Sequence, residues 1–162
     1  AADWPAELLA ADANVVLSHA GGQREVDIDQ FFKGLFMTAM GEEEIITAIR
    51  IPKKAFNNNS TYVKFPQPAS RFALVGCAAA ISNSDGYITE ARVAFSGVSA
   101  TPFRDSNVEK SLKGSVLNEG SIATATASVA DGVSIMSDHF AAEKYRKHMA
   151  GVYARKALSA LA

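Results

Sequence analysis

Residues 60–76 read Ser-Thr-Tyr-Val-Lys-Phe-Pro-Gln-Pro-Ala-Ser-Arg-Phe-Ala-Leu-Val-Gly. A β-prone run, residues 61–65, stops at Pro66 and Pro68, and an apolar run begins at Phe72 with Arg71 at its mouth. Neither proline can donate to a strand ladder, so together they force the chain out of one strand and make a rigid loop before the next. Residues 61–65 and 72–83 thus predict two strands. A third, over 88–96, follows the hairpin turn Ser84-Asp85-Gly86. Along the first strand, alternation puts Tyr62 and Lys64 on one face and Val63 and Phe65 on the other. Lys64, just ahead of the prolines, is either a cation held ready for an anionic or electron-rich ligand group or a side chain snorkelling at the sheet edge. Arg71 reads either as an anion contact or as a solvated strand start.

Upstream, Asp3 before Trp4 and Pro5 reads as the N-cap of a short helix over 4–11. Residues 14–19 and 23–28, around Ala20-Gly21-Gly22, predict a hairpin. Asp27 can cap a helix through Phe31, Phe32 and Leu35 that ends near Gly34. The β-branched run 44–51 closes at Pro52 as a strand. Residues 53–60, with the tract Asn57-Asn58-Asn59, are polar and read as a linker between two domains. Downstream, helices are predicted over 102–112, with Gly114 as the stop, over the alanine-rich 118–131, and over 141–161. A hairpin-built sheet followed by a run of helices is the α+β pattern, with a three-stranded antiparallel sheet and a helical bundle in the C-terminal part.

The 162 residues are 48% hydrophobic and 20% charged, the balance of an ordinary globular protein, and the formal charge of −1 offers no footprint for nucleic acid or an anionic membrane. Cys77 is the only cysteine. No disulfide framework or thiolate cluster is therefore available, and its apolar neighbours predict a buried, inert thiol. His19, His139 and His148 lie too far apart in the sequence to suggest a metal set. Phosphate-loop, dinucleotide-fingerprint, H-E-x-x-H and G-x-S-x-G patterns are absent, so no catalytic residue and no metal site is expected on this chain. The absence of a signal-peptide pattern and of a long apolar span predicts a cytoplasmic protein. The start at Ala1, without Met, reads as if cut from something longer, whether by maturation, by tag removal or as a fragment.

The order of landmarks resembles the flavoprotein (medium) subunit of the molybdenum hydroxylases, the carbon monoxide dehydrogenase and xanthine dehydrogenase family. The resemblance runs through A-A-D-W-P-A-E-L-L at the start, G-G-Q-R-E-V-D-I-D-Q-F-F-K-G, then T-A-M and E-E-I-I-T-A-I-R-I-P. It continues through Y-V-K-F, F-S-G-V-S-A-T-P-F-R and the last helix, E-K-Y-R-K-H-M-A-G-V-Y-A-R-K-A-L. It implies an FAD-binding, electron-transferring subunit, inactive alone, that works beside an iron–sulfur subunit and a molybdopterin-binding large subunit. It implies further that both glycine-rich flavin loops lie upstream of Ala1, that residues 1–54 end the FAD-binding domain, and that 55–162 form the C-terminal domain. Three flavin contacts carry over from the family. Asp3 falls on the aspartate after the second glycine loop, Ile46 on an aliphatic residue that packs on the flavin, and Lys64 on the lysine of Y-x-K beside the ring. A cation there would favour reduced, anionic flavin. Arg71 departs from the pattern, because many members place an aspartate there; NAD is therefore not assumed as the acceptor. The rival reading is a non-enzymatic binding or assembly domain that keeps the C-terminal fold without flavin.

Overall fold

The computed structural model describes residues 2–57 and 59–162. Asn58, from the asparagine tract, and Ala1 lie outside the described residues. Helix α1 spans Trp4–Ala10, with Pro5 in its first turn where a missing N–H is harmless. Strands β1 (Asn14–His19) and β2 (Gly22–Asp27) form the expected hairpin, and β5 (Ile45–Arg50) pairs antiparallel with the other edge of β1. Between them, α2 is a single turn, Ile28–Phe31, and Asp27 makes no side-chain cap bond. The helix expected through Leu35 does not continue. Ala39 N–H donates to the Phe31 carbonyl, and the chain from Phe32 turns back as the small hairpin β3 (Phe32–Gly34) and β4 (Met37–Thr38).

The segment expected as a linker contains a 3-10 turn, Lys53–Asn57, which leads into β6 (Asn59–Pro66). Strands β6, β7 (Ala73–Ser84) and β8 (Tyr87–Ser96) are the three predicted from sequence, and a fourth, two-residue strand β9 (Phe103–Arg104) extends the sheet in the order β6-β7-β8-β9. As an edge strand, β6 tolerates Pro66 at its end. The Asp85-Gly86 turn has φ of 53° and 83°, a left-handed pair that suits a two-residue hairpin.

Strand β9 replaces the first turns of the helix expected over 102–112. Phe103 stacks on Phe95 with centroids 5.4 Å apart, and α3 begins only at Ser106 (Ser106–Leu112). Asp105 sets that start: its carboxylate accepts from the N–H groups of Asn107 and Val108, and its other oxygen accepts from Ala130 at 2.7 Å. The alanine-rich helix is likewise shorter than expected. Helix α4 (Glu119–Thr126) is capped reciprocally by Asn118 and Ser121, and the following residues turn toward Asp105 with Ala130 at φ 58°. Helix α5 runs Glu143–Ser159 and not from Ala141, because the N–H groups of Phe140 and Ala141 are taken by the Asp138 carboxylate.

The four-stranded sheet is covered on both faces. Val75, Cys77, Ala79, Ile81, Val93 and Phe95 face α3, α4 and α5, and Ala78, Ala80 and Ala94 face α1 and the first sheet. Burial on both sides explains why β7 is a continuous apolar run where alternation would mark a half-exposed strand. Cys77 is fully buried, and burial pushes its thiol pKa up. No helix among the described residues is long and apolar enough to cross a membrane.

Candidate functional site

Asp3 and Lys64 meet. Lys64 Nζ donates to Asp3 Oδ2 at 2.6 Å, and Tyr62 Oη donates to Oδ1 at 2.7 Å, so both carboxylate oxygens are engaged by one face of β6. The two side chains are 29% and 34% exposed, at the rim of the seam between α1 and the second sheet. Partial burial pushes the Asp3 carboxyl up, but the bonds from Lys64 and Tyr62 outweigh it and hold the group below its ordinary range. The Tyr62 phenol is pushed well above its usual value, first by burial and then by the Asp3 carboxylate. Alternation along β6 delivers the pair, since Val63 and Phe65 point the other way into the helical core. Asp3 heads α1 but makes no side-chain cap bond; its carboxylate serves β6 instead.

Ile46 stands on the other sheet, opposite Leu17 of β1, and is 48% exposed. Its neighbours Ile45 and Ile49 are 65% and 37% exposed, so β5 displays an aliphatic surface. Arg71 lies exposed in the proline loop at φ 63°. Its N–H donates to the Gln67 carbonyl at 2.9 Å, Gln67 N–H donates to the Phe72 carbonyl at 2.7 Å, and the loop is thereby closed on itself.

Beside Tyr62, a cleft of about 460 Å³ runs along α1, floored by Ala78 and Ala80 and walled by Trp4, Leu8 and Ile51. The turn between α1 and β1 is tied to the four-stranded sheet by charge. Asp12, at φ 52°, accepts from Arg92 Nε at 2.7 Å, from Arg104 Nη1 at 3.3 Å and from Lys54 Nζ at 3.0 Å. Arg104 also forms a fork on Glu109 at 2.9 and 2.7 Å. Burial raises the Asp12 carboxyl, but Arg92 and Lys54 pull it below its ordinary range. Sequence reasoning missed this cluster, because its members are 42 to 92 residues from Asp12 in the chain. It also missed Tyr62 as a partner of Asp3, although the shared face of Tyr62 and Lys64 was the available signal.

Residues 60–161 match the family model described as the CO dehydrogenase flavoprotein C-terminal domain, and residues 1–54 match the FAD binding domain in molybdopterin dehydrogenase. The chain belongs to the flavoprotein-subunit family of the molybdenum hydroxylases. It is 33% identical, over its whole length, to the glyceraldehyde dehydrogenase medium chain of Sulfolobus acidocaldarius, covering 57% of that protein. Over 90% of its length it is 30% identical to the nicotine 6-hydroxylase medium subunit of Paenarthrobacter nicotinovorans, covering 51% of it. Carbon monoxide dehydrogenase from Hydrogenophaga pseudoflava, solved without the Mo-pyranopterin moiety of its cofactor, superposes with a TM-score of 0.90 at 29% identity, over 97% of this chain and 55% of the other. The chain spans about half the length of the curated relatives it matches.

Proposed function

We propose that this chain is part of an FAD-holding electron-transfer subunit, with residues 1–54 completing the flavin domain and 55–162 forming the C-terminal domain. The observation that carries the reading is the convergence of Asp3 and Lys64, 61 residues apart in sequence, on one partly exposed spot. The residues present fit a flavin. An ammonium has three protons and Asp3 takes one, so Lys64 retains donors for the carbonyl-rich edge of an isoalloxazine. Ile46 and the exposed aliphatics of β5 suit the face of a flat ring.

FAD, when bound, supplies the redox chemistry, accepting and releasing electrons between iron–sulfur centres and an external acceptor. The chain's own contribution is electrostatic and steric. Lys64 donates toward the ring, Asp3 balances its charge, Ile46 packs, and the closed loop around Arg71 fixes the charge met by an approaching acceptor. That acceptor is not taken to be NAD. Substrate oxidation falls to a molybdopterin-binding large subunit, with an iron–sulfur subunit between them, and the assembly works in the cytoplasm.

Isolation of the native polypeptide that contains this chain tests the reading through its visible absorption spectrum and co-purifying partners. Flavin bands, with iron and molybdenum in the same complex, are the expected result. A colourless protein without partners would overturn it in favour of a flavin-free binding or assembly domain.

A further inference from the structure

We propose that Tyr62 is a positioning residue, which locks the Asp3 carboxylate onto Lys64 so that a ligand at this site meets a neutralised ion pair and not a free lysine cation. The inference rests on the flavin reading above for the identity of the ligand, but the lock itself is a property of this chain.

The geometry behind it is specific. The Asp3 carboxylate is held from both sides, by the phenol on Oδ1 and the ammonium on Oδ2. Because residues two apart on a strand share a face, Tyr62 and Lys64 act as the two prongs of one clamp. Tyr62 reaches Asp3 by lying over Gly76, the residue that pairs with Lys64 across β6 and β7. A Cβ on Gly76 would sit 2.4 Å from Tyr62 Oη and 2.6 Å from Ser96 Oγ, so the bare Cα is what makes room for the hydroxyl. Ser96, on β8 opposite Gly76, is buried, and its hydroxyl lies beside the same glycine but has no hydrogen-bond partner among the described residues. The phenol and the ammonium both donate to Asp3, so the carboxylate is the common acceptor that holds the two prongs together. Tyr62 keeps its proton and Asp3 its charge through the ordinary pH range, which keeps the clamp closed.

A lysine paired in this way exerts a smaller field on a reduced, anionic ring than an unpaired one, and the two partners act on it with opposite sign. The test is the midpoint potential of bound FAD in the native polypeptide, measured for the parent and for Asp3→Asn, Lys64→Met and Tyr62→Phe. Asp3→Asn is expected to shift the potential upward, Lys64→Met downward, and Tyr62→Phe upward by less than Asp3→Asn. Shifts of equal sign for the two pair partners, or no shift in Tyr62→Phe, would overturn the proposal.

A flavin-free measurement reads the lock separately. In an absorbance titration, the ionisation that is lost in Tyr62→Phe should be a late one, and it should move to lower pH in Asp3→Asn. A Tyr62→Phe difference with no late step would sink the lock even if flavin binds. A late step that obeys these changes, in a native protein without flavin, would support the lock while the flavin reading fails.

Discussion

The four-stranded sheet is buried on both faces, whereas the three-stranded sheet ends on a strand, β5, that is exposed along its whole length. Both use β-branched and aliphatic residues, so residue type alone does not set their difference. In the first, helices α3 to α5 close one face and α1 closes the other. The interior also holds buried polar anchors that tie loops to the sheet. Arg146, 2% exposed, donates to the carbonyls of Leu74 and Gly97 at 2.7 Å, to Met136 at 3.1 Å and to Asp138 at 2.8 Å. Gly97, at φ 76°, brings its carbonyl into that reach, and a Cβ there would lie 2.4 Å from the Ala73 oxygen. In the three-stranded sheet, β1 is the only strand with a fully apolar buried stretch, Val15 to Leu17, and the edges are held by surface ion pairs. A closed region should therefore respond to single changes far more than an open one.

Arg146→Ala is the strongest way to test that contrast. It strands three carbonyls, that of Gly97 buried and those of Leu74 and Met136 partly buried, and should cost about 3–5 kcal/mol, read as a large drop in the urea midpoint. Arg146→Lys should recover only part of the loss, because an ammonium cannot reproduce the planar fork. Asp105→Ala deprives three backbone N–H groups of their acceptor and is expected to cost about 2–3 kcal/mol by the same measurement.

Asp12→Asn probes the seam between the two regions. Asparagine keeps the left-handed backbone comfortable but removes the charge that Arg92, Arg104 and Lys54 share, and about 1–2 kcal/mol should be lost. A change below about 0.5 kcal/mol, the range of ordinary surface substitutions, would show that packing alone joins the sheets.

Glu44 sharpens the comparison through pH. Hydrogen bonds from Arg24, then from the Gly41 N–H, hold its carboxyl at about 2, below its ordinary 4.5. A depressed carboxyl stabilises the fold above its unfolded value, and that contribution is lost as pH falls from 4.5 through about 2. Acid unfolding of Glu44→Gln should be flatter in that window, and identical acid limbs would remove Glu44 from the account. The smallest effect is expected on β5, where Ile49→Thr should change stability by no more than about 0.5 kcal/mol in thermal unfolding.

Much of the fold was legible because its signals are local. The strands of the second sheet follow from β-prone runs bounded by Pro66, Pro68 and Asp85-Gly86, and β1 and β2 from the glycine turn between them. The helix over 102–112 was misread at its start, since Phe103 pairs with Phe95 and only that distant partner makes it a strand residue. The helix expected through Leu35 failed for a similar reason, the bond from Ala39 to Phe31. At the candidate site, Lys64 could be singled out from its place before the prolines and Asp3 from its place before Trp4. That they touch could not be read, because no sequence pattern links positions 61 residues apart.

The sequence by itself determined the α+β class, the strand face that carries Tyr62 and Lys64, and a pattern of landmarks sufficient to point to the family. These depend on backbone geometry and on residue order, which a linear chain already contains. Only the tertiary structure decided that Asp3 serves β6 and not its own helix, and that Gly76 leaves room for Tyr62. It also decided that Arg146 is an interior anchor and not a surface charge. Each of those outcomes depends on which groups compete for one hydrogen bond once distant segments pack, and burial settles that competition.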